Sequence, residues 1–300
     1  MISKAKDLYA EAPKLAVLVY GRSGMGKTTW AALAPRPLVL LTERQGLPSI
    51  YAANPEALVI EITDWRQFCT VFQALQQATT CTVGGKAACT FHPPGEAEAV
   101  VFSTLVVDSL TDLQAMAFSA MAGKDADPLG LEVTDSDFRM YGRLQTVMEH
   151  VLREQRAMPC NTVFLALAED EFSDPEKRLG RQILPMLVGR KLAPKAGQYF
   201  NAVGFIDLDG DKRVIRWGAR RGFVSKAAPG WPDATINTLE PGQTTLGSLL
   251  AYSSHVGTLL LAEGDGAERV LVLEGDEPEK GASTPENAAK RPGRVRGART

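Results

Sequence analysis

Eight residues carry the clearest chemical signal in the chain: Gly21-Arg22-Ser23-Gly24-Met25-Gly26-Lys27-Thr28. They fit G-x-x-x-x-G-K-[ST], the spacing of a phosphate-cradling P-loop. Glycines allow a tight turn and let the backbone approach phosphate oxygens. Successive N–H groups then face inward, and a following helix adds partial positive charge. Lys27 is the residue to reach the β- and γ-phosphates, the Thr28 hydroxyl is the one to hold Mg²⁺, and Thr29 extends the contact surface. The chemistry implied is the binding of a nucleoside triphosphate.

Three carboxylates could complete such a site. Glu43 follows the apolar run Leu38-Val39-Leu40-Leu41, and in parallel sheets ligands gather beyond the carboxyl ends of strands. A carboxylate there can orient or deprotonate an attacking water. Asp108 ends the apolar stretch 100–107, the pattern of a Walker B strand whose carboxylate holds Mg²⁺; it could also cap the helix after it. Glu169 ends the apolar run 162–168, where it could sense the γ-phosphate; a solvated acidic turn is the plainer reading of Glu169-Asp170-Glu171.

The elements that must position these groups read as an alternation of strands and helices. A strand over 15–20 leads into the loop, and a helix over 29–34 leaves it, stopped by Pro35 and Pro37. Further strands are expected at 38–41, 58–62, 100–107 and 162–168. Asp64 should cap a helix over 65–78, and a helix over 110–121 should follow Asp108. Asp137 should cap a helix over 138–157, with Phe138, Tyr141, Leu144, Val147, Met148 and Val151 on a core-facing side. Residues 202–208 and 213–217, around Asp209-Gly210-Asp211, read as a β-hairpin. A last helix is expected over 245–253. The division that follows is a lead-in over 1–13, an α/β core over 14–253, and a tail over 254–300, acidic then basic, that cannot bury enough to fold alone.

Residues 79–99 read as a loop. Cys81, Cys89 and His92 fall in it, but they lack paired C-x-x-C spacing and a fourth ligand, so ordinary loop residues are the better reading. Residues 172–198 hold Lys177, Arg178, Arg181, Arg190, Lys191 and Lys195, the densest basic stretch of the core. Such a loop can contact single-stranded nucleic acid through phosphates, or be solvated charge with no partner. Arg220, Arg221 and Lys226 could reach a neighbouring subunit's nucleotide as fingers in trans.

The net charge of −2 gives no global attraction to nucleic acid, so any such contact must be local. Four scattered cysteines suit a reducing cytoplasm. Residues 1–11 are polar and do not read as a secretory leader, and no apolar run nears membrane-spanning length.

The arrangement resembles a RecA-like ATPase core over residues 14–253. It looks most like phage-encoded nucleotide-binding proteins related to the Sak-type single-strand annealing ATPases. Tyr20-Gly21 through Thr28-Thr29, the strand leading to Thr42-Glu43, and Leu105-Val106-Val107-Asp108-Ser109 carry the likeness. The resemblance implies a RecA-like P-loop fold with a mostly parallel sheet, use of ATP and Mg²⁺, and a homo-oligomeric ring or filament. It also implies action on single-stranded DNA in phage recombination or replication, in a host cytoplasm, with the tail open to a single-strand binding protein or other recombination partner. This chain departs from its relatives in two places. Leu41-Thr42-Glu43 stands where many have Asp-x-Glu, and Leu167-Ala168-Glu169 stands where a polar His or Gln often ends the strand. A small-molecule phosphotransferase and a nucleotide-gated interaction protein with little turnover are the alternatives.

Overall fold

Strand β1 (Ala16–Gly21) alternates its side chains between two apolar layers, Leu18 and Tyr20 on one and Val17 and Val19 on the other. Both faces are buried, as parallel strands covered by helices on each side require. Fully burying each of the three aliphatic side chains, Val17, Leu18 and Val19, contributes about 1.5–3 kcal/mol. The computed structural model describes residues 14–123, 137–171, 182–188, 192–219, 222–229, 231–236 and 249.

From β1 the chain passes through helix α1 (Lys27–Ala32) to β2 (Pro37–Leu41), α2 (Leu47–Ala53), β3 (Leu58–Glu61) and α3 (Trp65–Gln76). Asp64 caps α3 by accepting from Gln67 N at 2.9 Å, as its sequence position suggests. Strands β4 (Thr79–Val83), β5 (Lys86–Phe91) and β6 (Val100–Phe102) follow, then β7 (Thr104–Asp108) and α4 (Leu110–Met121). The remainder is α5 (Asp137–Glu154), β8 (Asn161–Glu171), β9 (Gln182–Pro185), β10 (Ala202–Asp209), β11 (Lys212–Arg216) and β12 (Ala234–Ile236).

The main sheet runs β3-β2-β7-β8-β1-β10-β11-β12, with β9 paired to the far end of β8. The six strands from β3 to β10 are parallel; β11, β12 and β9 join antiparallel. The carboxyl ends of β1, β2 and β7 therefore open on one edge, which brings Gly21, Leu41 and Asp108 to the same side of the sheet. This is a RecA-like P-loop fold, a mostly parallel sheet flanked by helices.

The structure corrects three expectations. Residues 79–91 are not loop, while 92–99 are: β4 and β5 form a hairpin turned at Gly84-Gly85, both with positive φ (60° and 74°), and β6 completes a separate three-stranded antiparallel sheet. The alternating Thr, Cys and Val of 79–83 are strand residues, and the adjacent glycines supply the left-handed turn. The apolar run 100–107 is two strands. It breaks at Ser103, where the chain leaves the small sheet for the main one. Tyr141 is 51% exposed, stacked on Phe118 with ring centroids 5.2 Å apart, while Leu144, Met148 and Val151 enter the core. The expected helix over 245–253, apart from the helical Leu249, and the tail over 254–300 lie outside the described residues. Among the described residues, no helix is long and apolar enough to cross a membrane.

Candidate nucleotide-binding site

The loop begins where β1 cannot tolerate a side chain. A Cβ on Gly21 would lie 2.3 Å from Ile206 Cγ2 and 2.7 Å from Ile206 O of neighbouring β10. Gly24 and Gly26 take left-handed backbone, with φ of 77° and 80°, which only glycine adopts freely. Gly26 precedes α1 directly, and its carbonyl accepts from Trp30 N at 3.0 Å.

Lys27 is buried, and its ammonium donates to Gly21 O and Arg22 O, each at 2.9 Å. Burial holds its pKa below the ordinary lysine value, while the negative Asp108 and Glu43 pull it back up. The cation is thus stored under the loop, beside the space the loop encloses. Thr28 Oγ1 donates to Asp108 Oδ2 at 2.7 Å. Burial raises the Asp108 pKa, and the Thr28 hydrogen bond and Lys27 oppose that.

β2 lies beside β7 with Leu41 opposite Asp108, so Thr42 and Glu43 emerge next to the aspartate. Thr42 N and Oγ1 both reach Asp108 O, at 2.8 and 2.9 Å, and Ser109 N donates to Thr42 Oγ1 at 2.8 Å. The Asp108–Ser109 peptide is cis. Ser109, not Asp108, caps α4, accepting from Asp112 N at 3.3 Å. Asp108 is left to face Thr28.

Glu43 is exposed at the mouth of this arrangement. A hydrogen bond to Asp112, together with burial and the charges of Asp112 and Asp108, raises its pKa to about 7, against the lowering pull of Lys27. Gly46, just beyond, is also committed. A Cβ there would lie 3.7 Å from both Asp108 Oδ2 and Thr28 Cγ2 and 3.0 Å from Leu41 Cδ1, crowding the cradle.

A hydroxyl and a carboxylate converging beside an ammonium are hard oxygen donors of the kind Mg²⁺ takes when phosphates complete its shell. Thr28 and Asp108 would hold the ion, and bound there it would neutralise charge on the phosphate oxygens. The residues present fit the group.

Other expected site residues are placed differently. β8 does not end at Ala168; it runs on to Glu171, held by β9, with Glu169 opposite Leu184. Glu169 is exposed and makes no side-chain bond to the loop. Its neighbour Asp170 does, pairing with Arg22 at 3.4 Å. Lys226 lies at the opposite, amino end of β10, opposite Val203, and its ammonium donates to Gly197 O and Phe200 O at 2.9 and 2.8 Å. That cation is committed to its own chain. Lys195 is exposed on a short 3-10 helix, Ala193–Gln198. Lys177, Arg178, Arg181, Arg190, Lys191, Arg220 and Arg221 lie outside the described residues.

Cys89 is buried and donates to Pro159 O at 3.2 Å, and Cys81 accepts from Thr90 Oγ1. Among the described residues no three His, Cys, Asp or Glu side chains gather as a metal-ligand set. A cavity of about 340 Å³ lies at the amino edge of the sheet, lined by Lys14, Arg156, Cys160 and Lys226 among others, with no residue of the phosphate loop.

Sequence reasoning missed Asp112 and Thr42. Their signal was present: Ser109-x-x-Asp112 is a capping-box pattern, and Thr42 sits between the strand end and Glu43.

No curated protein matches the chain in sequence. Among solved structures it is similar to a prototypical ATPase from the type III secretion system of pathogenic bacteria, at 14% identity and a TM-score of 0.35. The match covers 64% of this chain and 51% of that one, so the chain spans about half the length of that ATPase. The sequence profile of an AAA domain family, AAA_24, matches residues 13–228, from the lead-in to β1 to the segment beyond β11. The chain belongs to this AAA domain family of P-loop nucleoside triphosphatases.

Proposed function

We propose that the protein binds Mg–ATP in this loop, hydrolyses it, and uses the cycle to act on single-stranded DNA. The role that fits its resemblances is annealing or strand exchange in phage recombination or replication, as a homo-oligomer. The observation that carries the hydrolytic reading is the placement of Glu43. It stands at the carboxyl end of β2, within electrostatic reach of Lys27 and Asp108, and is exposed at the mouth of the site.

In this reading Lys27 leaves the loop carbonyls for the β- and γ-phosphate oxygens. Thr28 and Asp108 hold the metal end of the nucleotide. Glu43 takes a proton from water as the water oxygen bonds to the γ-phosphorus and ADP departs with the broken bond's electrons.

The DNA reading rests on a topological fact and on charge. β8 and β9 form an antiparallel pair that closes with Glu171 opposite Gln182, on the edge of the sheet where Asp170 meets the phosphate loop. The residues connecting them, 172–181, carry Lys177, Arg178 and Arg181. These three cations, which share the segment with Asp174 and Glu176, are suited to backbone phosphates.

The test is ATP hydrolysis with and without single-stranded DNA at two salt concentrations. Stimulation that falls steeply with salt is expected. Phosphate transfer to a small-molecule acceptor would replace this reading with a phosphotransferase. The raised pKa of Glu43, about 7 beside Asp112, favours a second reading: a nucleotide-gated interaction protein with slow turnover, which would bind DNA with ATP but show little hydrolysis.

A further inference from the structure

The cavity of about 340 Å³ at the amino edge of the sheet is rich in donors and has spent its acceptors. Carbonyls of its lining residues are engaged one after another. Leu15 O accepts from Thr162 N at 2.8 Å, and Ala16 O from Asn201 N at 2.7 Å. Gln198 O accepts from Arg156 Nη2 at 2.9 Å, Tyr199 O from Gln155 Nε2 at 3.1 Å, and Phe200 O from Lys226 Nζ at 2.8 Å. The side-chain oxygens follow suit: Gln155 Oε1 accepts from Thr162 Oγ1 at 3.0 Å, and Asn201 Oδ1 from Ala16 N at 2.8 Å.

What remains is positive charge and unused N–H groups. Neither Asp nor Glu lines the cavity among the described residues. Arg22, Arg44, Arg153 and Arg216 each pair with a carboxylate, but among the described residues Lys14, Arg156 and Lys226 form no ion pair. Lys226 and Arg156 are instead held by neutral carbonyls of residues 197, 198 and 200, which fix their positions and leave their charge uncompensated. The guanidinium and the ammonium each keep further N–H groups, and so does the Asn201 amide. Little ordering is left for a ligand to impose on the two anchored cations.

These donors come from separate parts of the chain: Lys14 ahead of β1, Arg156 beyond α5, Asn201 ahead of β10, and Lys226 opposite Val203. Donors arrayed around a space suit an anion with several oxygens, whereas a lone carboxylate is matched by the fork of a single guanidinium. The volume is at the lower end for small-molecule sites and exceeds what a bare phosphate needs, and buried Leu15 and Met158 offer apolar lining for an organic part. We infer that the cavity is a second phosphate-group site, taking the phosphate of a free phosphorylated molecule or of a single strand. It lies at the Ala16 end of β1 and the nucleotide loop at the Gly21 end, apart by the length of the strand, about 16 Å at its ordinary rise per residue. The inference stands whether or not the loop hydrolyses ATP.

Calorimetric titration with inorganic pyrophosphate at low salt tests it, in a Lys27→Ala protein so that the loop takes no part; Lys27→Met serves if Lys27→Ala does not fold. Binding is expected. Arg156→Gln and Lys14→Gln, both at exposed side chains, should each weaken it about tenfold. Lys195→Gln removes an exposed cation from the neighbouring 3-10 helix that does not line the cavity, and should change the affinity less than about twofold. No binding of pyrophosphate, or an equal loss in all three variants, overturns the inference, because the charge would then be spread over the surface and not gathered in a site. Thymidine monophosphate and an oligodeoxythymidylate separate the two sources. Displacement of pyrophosphate by the mononucleotide as well as the oligomer assigns the site to a free phosphorylated molecule. Displacement by the oligomer alone, lost in Arg156→Gln, assigns it to a strand, and displacement by neither overturns the inference.

Discussion

Thr28 Oγ1 donates to Asp108 Oδ2 at 2.7 Å, joining residues 80 positions apart at the end of the phosphate loop and the end of β7. Strand β8 lies between β1 and β7, so the contact spans two strand spacings at the open edge of the sheet. The bond holds the hydroxyl and the carboxylate oxygen side by side at that edge.

Removing either partner should therefore weaken the Mg²⁺-dependent part of ATP binding while sparing what the amides do alone. Thr28→Ala and Asp108→Ala are each expected to lower Mg–ATP affinity about 10- to 100-fold, the scale of one charged contact. Calorimetry with Mg²⁺ and with EDTA separates the terms; an equal loss in both would show that the loop itself had been disturbed. Lys27→Ala should abolish binding in either condition.

Burial raises the Asp108 pKa, and an ion takes the deprotonated carboxylate. Mg–ATP binding should therefore release protons from this group as the pH falls towards its raised pKa, and affinity should decline in that direction. Calorimetry in two buffers of different ionisation enthalpy at acidic pH measures the release. Asp108→Asn should remove this contribution.

Gly21→Ala forces a methyl group into Ile206. Overpacking of this kind costs about 1–3 kcal/mol, and the 2.7 Å contact with the Ile206 carbonyl adds backbone displacement. Thermal melts should show a lower Tm, and adding Ile206→Ala should restore only part of it, because the carbonyl remains. Full restoration would show that Cγ2 alone was the obstacle.

Tyr20 carries a buried polar junction. Its hydroxyl accepts from Val224 N at 2.9 Å and lies 2.7 Å from Val224 O and 3.2 Å from Ile183 O. Tyr20→Phe leaves these backbone groups without that partner, at a cost of about 1–3 kcal/mol in urea unfolding. A loss under a few tenths would mean that water replaces the hydroxyl.

Trp30 presents the opposite case. Its ring is 2% exposed and lies 6.0 Å from that of Trp217, yet Nε1 is buried without an acceptor. Trp30→Phe should cost less than about 1.5 kcal/mol, because the lost contacts are offset by removing an unsatisfied donor. Because Trp30 follows the loop by two residues, ATP should also change the intrinsic fluorescence of the wild type and change it less in the variant.

Much of this protein was legible in its residues. The motif from Gly21 to Thr28, the apolar run before it and the prolines after α1 defined loop, strand and helix, because each depends on local sterics and hydrogen bonding. Asp64 as a cap and Asp209-Gly210-Asp211 as a turn followed from the same local rules. The hairpin β4–β5 was within reach as well; its Gly84-Gly85 signal was outweighed by the length of the segment around it.

Other features had no local cause. Which carboxylate at the end of β8 meets the loop depends on pairing with β9, which extends the strand and turns Asp170, rather than Glu169, towards Arg22. That Lys226 is tied down depends on carbonyls 26 and 29 positions away. The bonds from Thr42 to Asp108 O and from Ser109 N to Thr42 need β2 and β7 side by side in one register, with Leu41 opposite Asp108. A chain specifies its turns and caps through neighbours a few bonds apart, whereas the partners of a charged side chain are chosen by strand order, which no short stretch contains.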